Sequence, residues 1–267
     1  MRAIVSGVIF VLLLVVLLTD WSGGKGETVD VIGSTSVQPF AEVLSEEFNE
    51  QAHDFKVEVQ GGGSTVGVQS TLEGIADIGM ASRSLKSEEK EHLTPTTLAR
   101  DGLAIVVHNS NPVNDLTVAQ VRDMFAGRIT NWNQVGGRDM PIRLIVREES
   151  SGTREAFMTL VMGKGGRVVP TAINQDSNGA IKELVKDDAN AIGFMSLGLV
   201  TSELKALRVN GVEATADAVV AGRYPLVRPF LFVTKGAPTA RAQKFIDFVL
   251  SAHGQDVLAR EGLVRAK

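Results

Sequence analysis

The chain has no cysteine among its 267 residues. Disulfides, thiolate metal sites and a lipid-modified N-terminal cysteine are therefore excluded. The four histidines, His53, His92, His108 and His253, show no ligand-like spacing. There is no internal repeat and no low-complexity segment after the N-terminal stretch. A basic excess is lacking too: the net charge is −4. That balance argues against a general nucleic-acid binder, which carries a basic face. It also means that any bound anion is captured by a local site, against a weakly repelling overall field. Long apolar runs are missing as well. Arg2 precedes the apolar run Val8–Leu18, which has signal-peptide length and is short for a membrane span. Residues 1–23 are expected to be a signal peptide or an uncleaved N-terminal anchor, and the protein an exported one. The length allows one large domain or two modest ones.

What is present is an alternation of short apolar runs and amphipathic stretches. Strands are expected at 28–32, 56–60, 75–80 and 102–108, and helices over about 39–51 and 66–73. A second block to about residue 223 adds strands at 142–146, 191–195 and 206–209. A long strand over 224–234 and helices at 240–250 and 255–260 close the chain. This alternation implies an α/β fold with largely parallel strands. The polar segment Asn109–Asp115, with Pro112, reads as a crossing between two domains. In such folds ligands bind at the carboxyl ends of strands, in the loops leading to helices.

Four turns of that kind are rich in glycine, serine and threonine. They are Gly33-Ser34-Thr35-Ser36, Gly61-Gly62-Gly63-Ser64-Thr65, Ala81-Ser82-Arg83-Ser84 and Ser150-Ser151-Gly152-Thr153, the last just after Arg147. Taken singly, the first reads as a helix cap, the second as a flexible turn and the third as a solvated turn with a surface arginine. The fourth is the strongest signal. A helix N-terminus offers free backbone N–H groups and the positive end of the helix dipole. Two serines, a threonine and two arginines add donors for a tetrahedral oxyanion. The repetition of such turns points to anion binding. Catalysis finds little support: Gly61–Thr65 is neither a Walker A loop nor a nucleophile elbow. Glu148 and Glu149 are adjacent, a poor arrangement for an acid/base pair.

The sequence resembles the phosphate-binding proteins of bacterial phosphate ABC transporters. The resemblance rests on Gly33–Ser36, Gln60–Ser64, Asp77–Arg83, Ile129–Trp132 with Val135–Gly137, Ser151–Arg154 and Tyr224–Pro229, in that order. It implies a two-lobed, type II-like periplasmic binding protein with the ligand in the cleft between lobes. Residues 27–108 plus 226–267 would form one lobe and residues 109–225 the other. It implies no enzymatic activity and no cofactor or metal. The partners would be inorganic phosphate and membrane ABC permease subunits, with the protein a periplasmic monomer. The expected phosphate ligands are Ser34, Thr35, Ser36, Ser64, Ser82, Arg83, Arg147, Ser151, Gly152 and Thr153. The best-known members have an aspartate at the third turn, where this chain has Ser82 followed by Arg83; Glu148 or Glu149 is an alternative source of a carboxylate. Another oxyanion (molybdate, tungstate or sulfate) and an extracytoplasmic phosphate sensor are the competing readings.

Overall fold

The structure is a computed structural model and describes residues 28–51 and 54–266. The expected leader at 1–23 lies outside these residues. Among the described residues no helix is long and apolar enough to cross a membrane.

The first block comprises β1 (Thr28–Gly33), α1 (Gln38–Asn49), β2 (Lys56–Gly61), α2 (Ser64–Leu72), β3 (Ile78–Ala81), the short α3 (Ser87–Lys90) and the long β4 (Leu93–His108). The middle block adds β5 (Asp115–Leu116), α4 (Val118–Phe125), β6 (Arg143–Arg147) and α5 (Gly152–Phe157), which runs into a π-helical turn at Met158–Met162. It continues with β7 (Ile173–Gln175), α6 (Asn178–Asp187), β8 (Ala191–Ser196), β9 (Leu204–Ala206), β10 (Arg208–Val209) and α7 (Ala216–Val220). β11 (Val227–Lys235), α8 (Ala240–Leu250), α9 (Ala252–Arg260) and β12 (Val264–Arg265) complete the chain.

The main sheet has the order β2-β1-β3-β11-β4-β8-β6-β7. β1 pairs in parallel with β2 and β3, and β6 in parallel with β8 and β7. The two parallel sets are joined through antiparallel β11 and β4. β4 pairs with β11 from Leu93 to Gly102, then with β8 from Leu103 to Val107. One strand thus serves two lobes. Leu98 and Ala99 pack with Phe230, Phe232 and Phe245 in the first core. Leu103, Ile105 and Val107 belong to the second, where Phe157 stacks on Phe194 at 4.1 Å and meets Phe125 edge-on.

β4 begins well ahead of the expected start at Gly102. Its first half reads Leu-Thr-Pro-Thr-Thr-Leu-Ala-Arg-Asp and is only partly buried, with Thr94–Thr97 outside the core, so it lacks the continuous apolar signature of a strand covered on both faces. The change of partner falls at Gly102/Leu103, ahead of the Asn109–Asp115 segment, which is the loop leaving β4. The second passage is made by Leu226 and Val227: Leu103 N–H donates to Leu226 O at 2.8 Å, and Val227 pairs with Gly102.

Close backbone packing sets the turns beside one another. Gly67 in the first turns of α2 lies against the ends of β1 and β3. A Cβ there would sit 2.7 Å from both Ile32 O and Met80 O. This contact fixes the start of α2, and with it Ser64, above the end of β3, where Ser82 follows. Gly67→Ala is expected to cost about 1–3 kcal/mol by overpacking, read as a lowered urea midpoint with an unchanged m-value.

Candidate anion-binding site

The hydroxyls of the first turn are not spent on capping α1. Val37 occupies the cap position without a side-chain bond, and Ser34 O accepts the N–H groups of Val37 and Gln38. Ser34 Oγ accepts from Ser36 N–H at 3.2 Å and shapes the turn. Thr35 and Ser36 are left to face the other lobe. Ser36 Oγ lies 2.7 Å from Thr153 Oγ1, and Arg147 Nη2 donates to Thr35 Oγ1 at 3.1 Å.

Ser64 and Ser82 meet in the same way. Ser82 N–H donates to Ser64 Oγ at 3.0 Å, and the two hydroxyls are 3.3 Å apart. Gly152 comes directly opposite. A Cβ at Gly152 would fall 2.1 Å from Ser64 Oγ and 2.8 Å from Ser82 Oγ. Only a residue without a side chain fits there. Ser151 caps α5, its Oγ accepting from Arg154 N–H at 3.3 Å. The helix therefore starts at Gly152, and its first N–H groups, those of Gly152 and Thr153, have no partner within the helix. Thr65 N–H donates to Ser150 O at 3.1 Å across the same gap. The lobes are clasped, and Ser36, Ser64, Ser82, Arg147, Ser151 and Thr153 are all buried.

Arg147, the last residue of β6, is 1% exposed. Its guanidinium reaches Asp176 O at 2.6 Å and Gln175 O at 3.2 Å, and Glu148 at 3.1 and 3.2 Å. Burial lowers its pKa, with the Glu148 carboxylate opposing. Arg154 supports this strand end from behind: its Nη1 donates to Arg147 O at 2.6 Å and to Asn174 Oδ1 at 2.9 Å.

Sequence reasoning named one buried cation too few. Arg228 on β11 is 3% exposed. It donates from Nη1 to Thr153 Oγ1 at 2.7 Å and to Ser82 O at 3.3 Å, and from Nε to Asp101 Oδ2 at 2.9 Å. Asp101 also accepts from Ser196 Oγ at 2.9 Å. Burial lowers the Arg228 guanidinium, Asp101 opposes this, and the charge of Arg147 lowers it further. Burial pushes the Asp101 carboxyl upward, while Arg228 and Ser196 pull it down. Asn178 was missed as well. It links the lobes by donating from Nδ2 to Ser36 Oγ at 2.9 Å while its Oδ1 accepts from Ser196 N–H at 3.2 Å. The available signal was Arg228, a lone charge in the apolar run Leu226–Val233; Asp101, next to Arg100 at the edge of the apolar run Leu103–Val107, gave none.

Arg83 corrects an expectation. It follows Ser82 but turns away from the cluster, and its Nη1 and Nη2 donate to Glu89 Oε2 and Oε1 at 2.7 and 2.8 Å. Its Nε lies 2.7 Å from Glu155 Oε2. Two nearby carboxylates leave this guanidinium no call for an anion. Of the two alternative carboxylates, Glu148 is committed to Arg147 and to the Ser150 hydroxyl and Glu149 is exposed; the buried Asp101 is committed to Arg228.

The assembled site holds two buried cations facing one buried carboxylate, ringed by hydroxyls and free helix-start N–H groups. It can take up negative charge but carries no nucleophile–base pair. Fold and site define the class of two-lobed binding proteins that close around a small ligand. A family model described as a PBP superfamily domain matches residues 21–253. The phosphate-binding protein PstS of Bacillus subtilis is 32% identical over 238 residues, covering 85% of this chain and 78% of that protein. A Clostridium perfringens structure with bound phosphate, assigned to the phosphate ABC transporter substrate-binding proteins, superposes with a TM-score of 0.88. It is 42% identical and is covered in full, across 90% of this chain. An ABC-type phosphate transport receptor of Vibrio cholerae gives 0.76 at 39% identity, with 88% of this chain and 99% of that one covered. The chain belongs to the PBP superfamily, and within it to the family of the PstS proteins.

The surroundings of Arg83 give a pH test. Burial alone would raise the Glu89 carboxyl, but the Arg83 guanidinium and the Lys86 N–H hold it below its ordinary value of 4.5. A carboxylate depressed in the folded state stabilises above its unfolded pKa and ceases to as pH falls through its folded one. Glu89→Gln should therefore cost about 2 kcal/mol at neutral pH. The gap between variant and parent should narrow as pH falls below 4.5 in denaturant melts.

Proposed function

We propose that this protein binds inorganic phosphate in the cleft between its lobes and delivers it to a membrane ABC permease for uptake. The observation that carries the reading is the pair of buried guanidiniums, Arg147 and Arg228, on opposite sides of the Thr35–Ser36–Thr153 hydroxyls. The relatives' names and the phosphate bound in the Clostridium perfringens structure support phosphate as the anion. The ligands we assign are Thr35, Ser36, Ser64, Ser82, Arg147, Gly152 and Thr153, with Arg228 added. Ser34 and Ser151 shape the turns, and Arg83 is outside the set.

Two lobes that touch the same anion only when closed give the anion a preference for the closed state. The lobes divide at Gly102/Leu103 and Leu226/Val227. We read the protein as an exported, monomeric binding protein that acts on the outer side of the membrane, and not as an enzyme. Asp101 is committed to Arg228 and Glu148 to Arg147, so on this reading the proton of hydrogen phosphate is accepted by hydroxyls, with Ser64 and Ser82 the best placed. Sulfate brings no proton to such a hydroxyl, which must then turn its own hydrogen toward the anion, so phosphate is preferred but less sharply than a carboxylate acceptor would enforce.

Isothermal titration of the protein without residues 1–23 should give tight one-to-one phosphate binding that excess sulfate does not displace. No phosphate binding, or equal affinity for molybdate, would overturn the reading. Arg147→Met is expected to weaken phosphate by at least roughly thirtyfold, because a buried charged partner is lost, while thermal unfolding stays cooperative. Gly152→Ala should weaken it comparably by holding the lobes apart at Ser64.

A further inference from the structure

Arg83 is buried yet serves no anion. Its two terminal nitrogens are held by Glu89 on α3, within the first lobe. Its third edge faces the second lobe, where Nε lies 2.7 Å from Glu155 Oε2 on α5. Lys86 Nζ adds a longer contact, 3.8 Å to Glu155 Oε1. The cross-lobe hydrogen bonds at Ser36, Thr35 and Thr65 run through the anion-binding turns; this ion pair starts from the residue after Ser82 but uses none of the ligands assigned above. We infer that Arg83 and Glu155 form a latch across the cleft, an ion pair that favours the closed lobes independently of the anion and prolongs the residence of the ligand.

The arrangement is suited to reversible use. When the lobes part, Arg83 keeps its two-pronged bond to Glu89, so opening does not strand an unpaired buried cation. Glu155 is 32% exposed at its side chain, and it moves into water without a large desolvation change. A cavity of about 120 Å³ beside the pair, lined by Arg83, Ser84, Glu155, Thr159 and Pro229 among others, admits solvent and ions. An ion pair reached by solvent contributes modestly and is weakened by salt. It therefore biases the open–closed equilibrium without locking it. The position of Glu155 follows from the Ser151 cap: starting α5 at Gly152 puts Thr153 at the anion site and Glu155 at the latch within a single helical turn.

The residence-time part of this inference rests on the phosphate reading, while the lobe-closure part does not. Glu155→Gln keeps the shape and leaves Arg83 paired with Glu89. Release of radiolabelled phosphate, chased with unlabelled phosphate, should be roughly three- to fivefold faster in the variant at low salt. The difference should vanish near about 1 M sodium chloride, where screening acts within about 3 Å. X-ray scattering of the anion-free protein should show a larger radius of gyration for the variant, and for the parent a radius that rises with salt. Equal release rates, equal salt dependence and equal radii would overturn the latch. If the parent binds no phosphate, the functional reading fails and scattering alone decides the latch. If the variant does not fold, the salt dependence of the parent's radius decides it.

Discussion

Asp101 and Arg228 are cross-strand neighbours on β4 and β11, directly opposite each other in register although 127 residues apart in the chain. They sit where both strands leave one lobe for the other. Burying two charges is expensive unless each is fully bonded. Here Asp101 takes Arg228 on one oxygen and Ser196 of β8 on the other, and Arg228 extends to the end of β3 at Ser82 and to Thr153 on α5. The pair therefore ties together the strands that bear the first and second lobes, and both ends of the site. Arg147 then adds a second buried cation without a second fully buried carboxylate. The cluster is left with a positive excess, and that excess, set inside an acidic protein, is what defines the ligand class.

The glycine, serine and threonine turns were legible because their chemistry is local. A strand ends, backbone N–H groups are exposed, and small hydroxyl side chains are the ones that fit close to them. Thr35, Ser36, Ser64, Ser82, Gly152 and Thr153 come together in the fold from four separated segments. Arg147 and Arg83 illustrate where such reading stops. Arg147 ends a strand and Arg83 lies just beyond one, both next to polar turns, yet one faces the cleft and the other is drawn off by Glu89 and Glu155. What separates them is the position of α3 and α5, which no local pattern reports. Asp101 and Arg228 were silent for a related reason. A charge within a strand has no meaning until the register supplies its partner.

The fold shows the same division. Helices with a strong apolar stripe were placed well, and α8 spans the expected residues. β4 was cut short because its first half is rich in threonine and contains Pro95. Pairing with β11 and β12 makes it a strand all the same. The crossing between lobes was sought in a polar segment, where flexibility is usual. We place it instead inside two paired strands, where β4 changes partner at Gly102/Leu103.

That placement has a mechanical consequence. A connection made of two hydrogen-bonded strands resists stretching and shear, since either would break the ladder between Gly102 and Val227. It yields more easily to bending and twisting, in which small changes are shared over several residues and the ladder stays intact. On the proposed reading, closure then brings Thr153 to Ser36 and Gly152 to Ser64 without any pairing being remade, so the ribbon limits the arrangements the two lobes have to search.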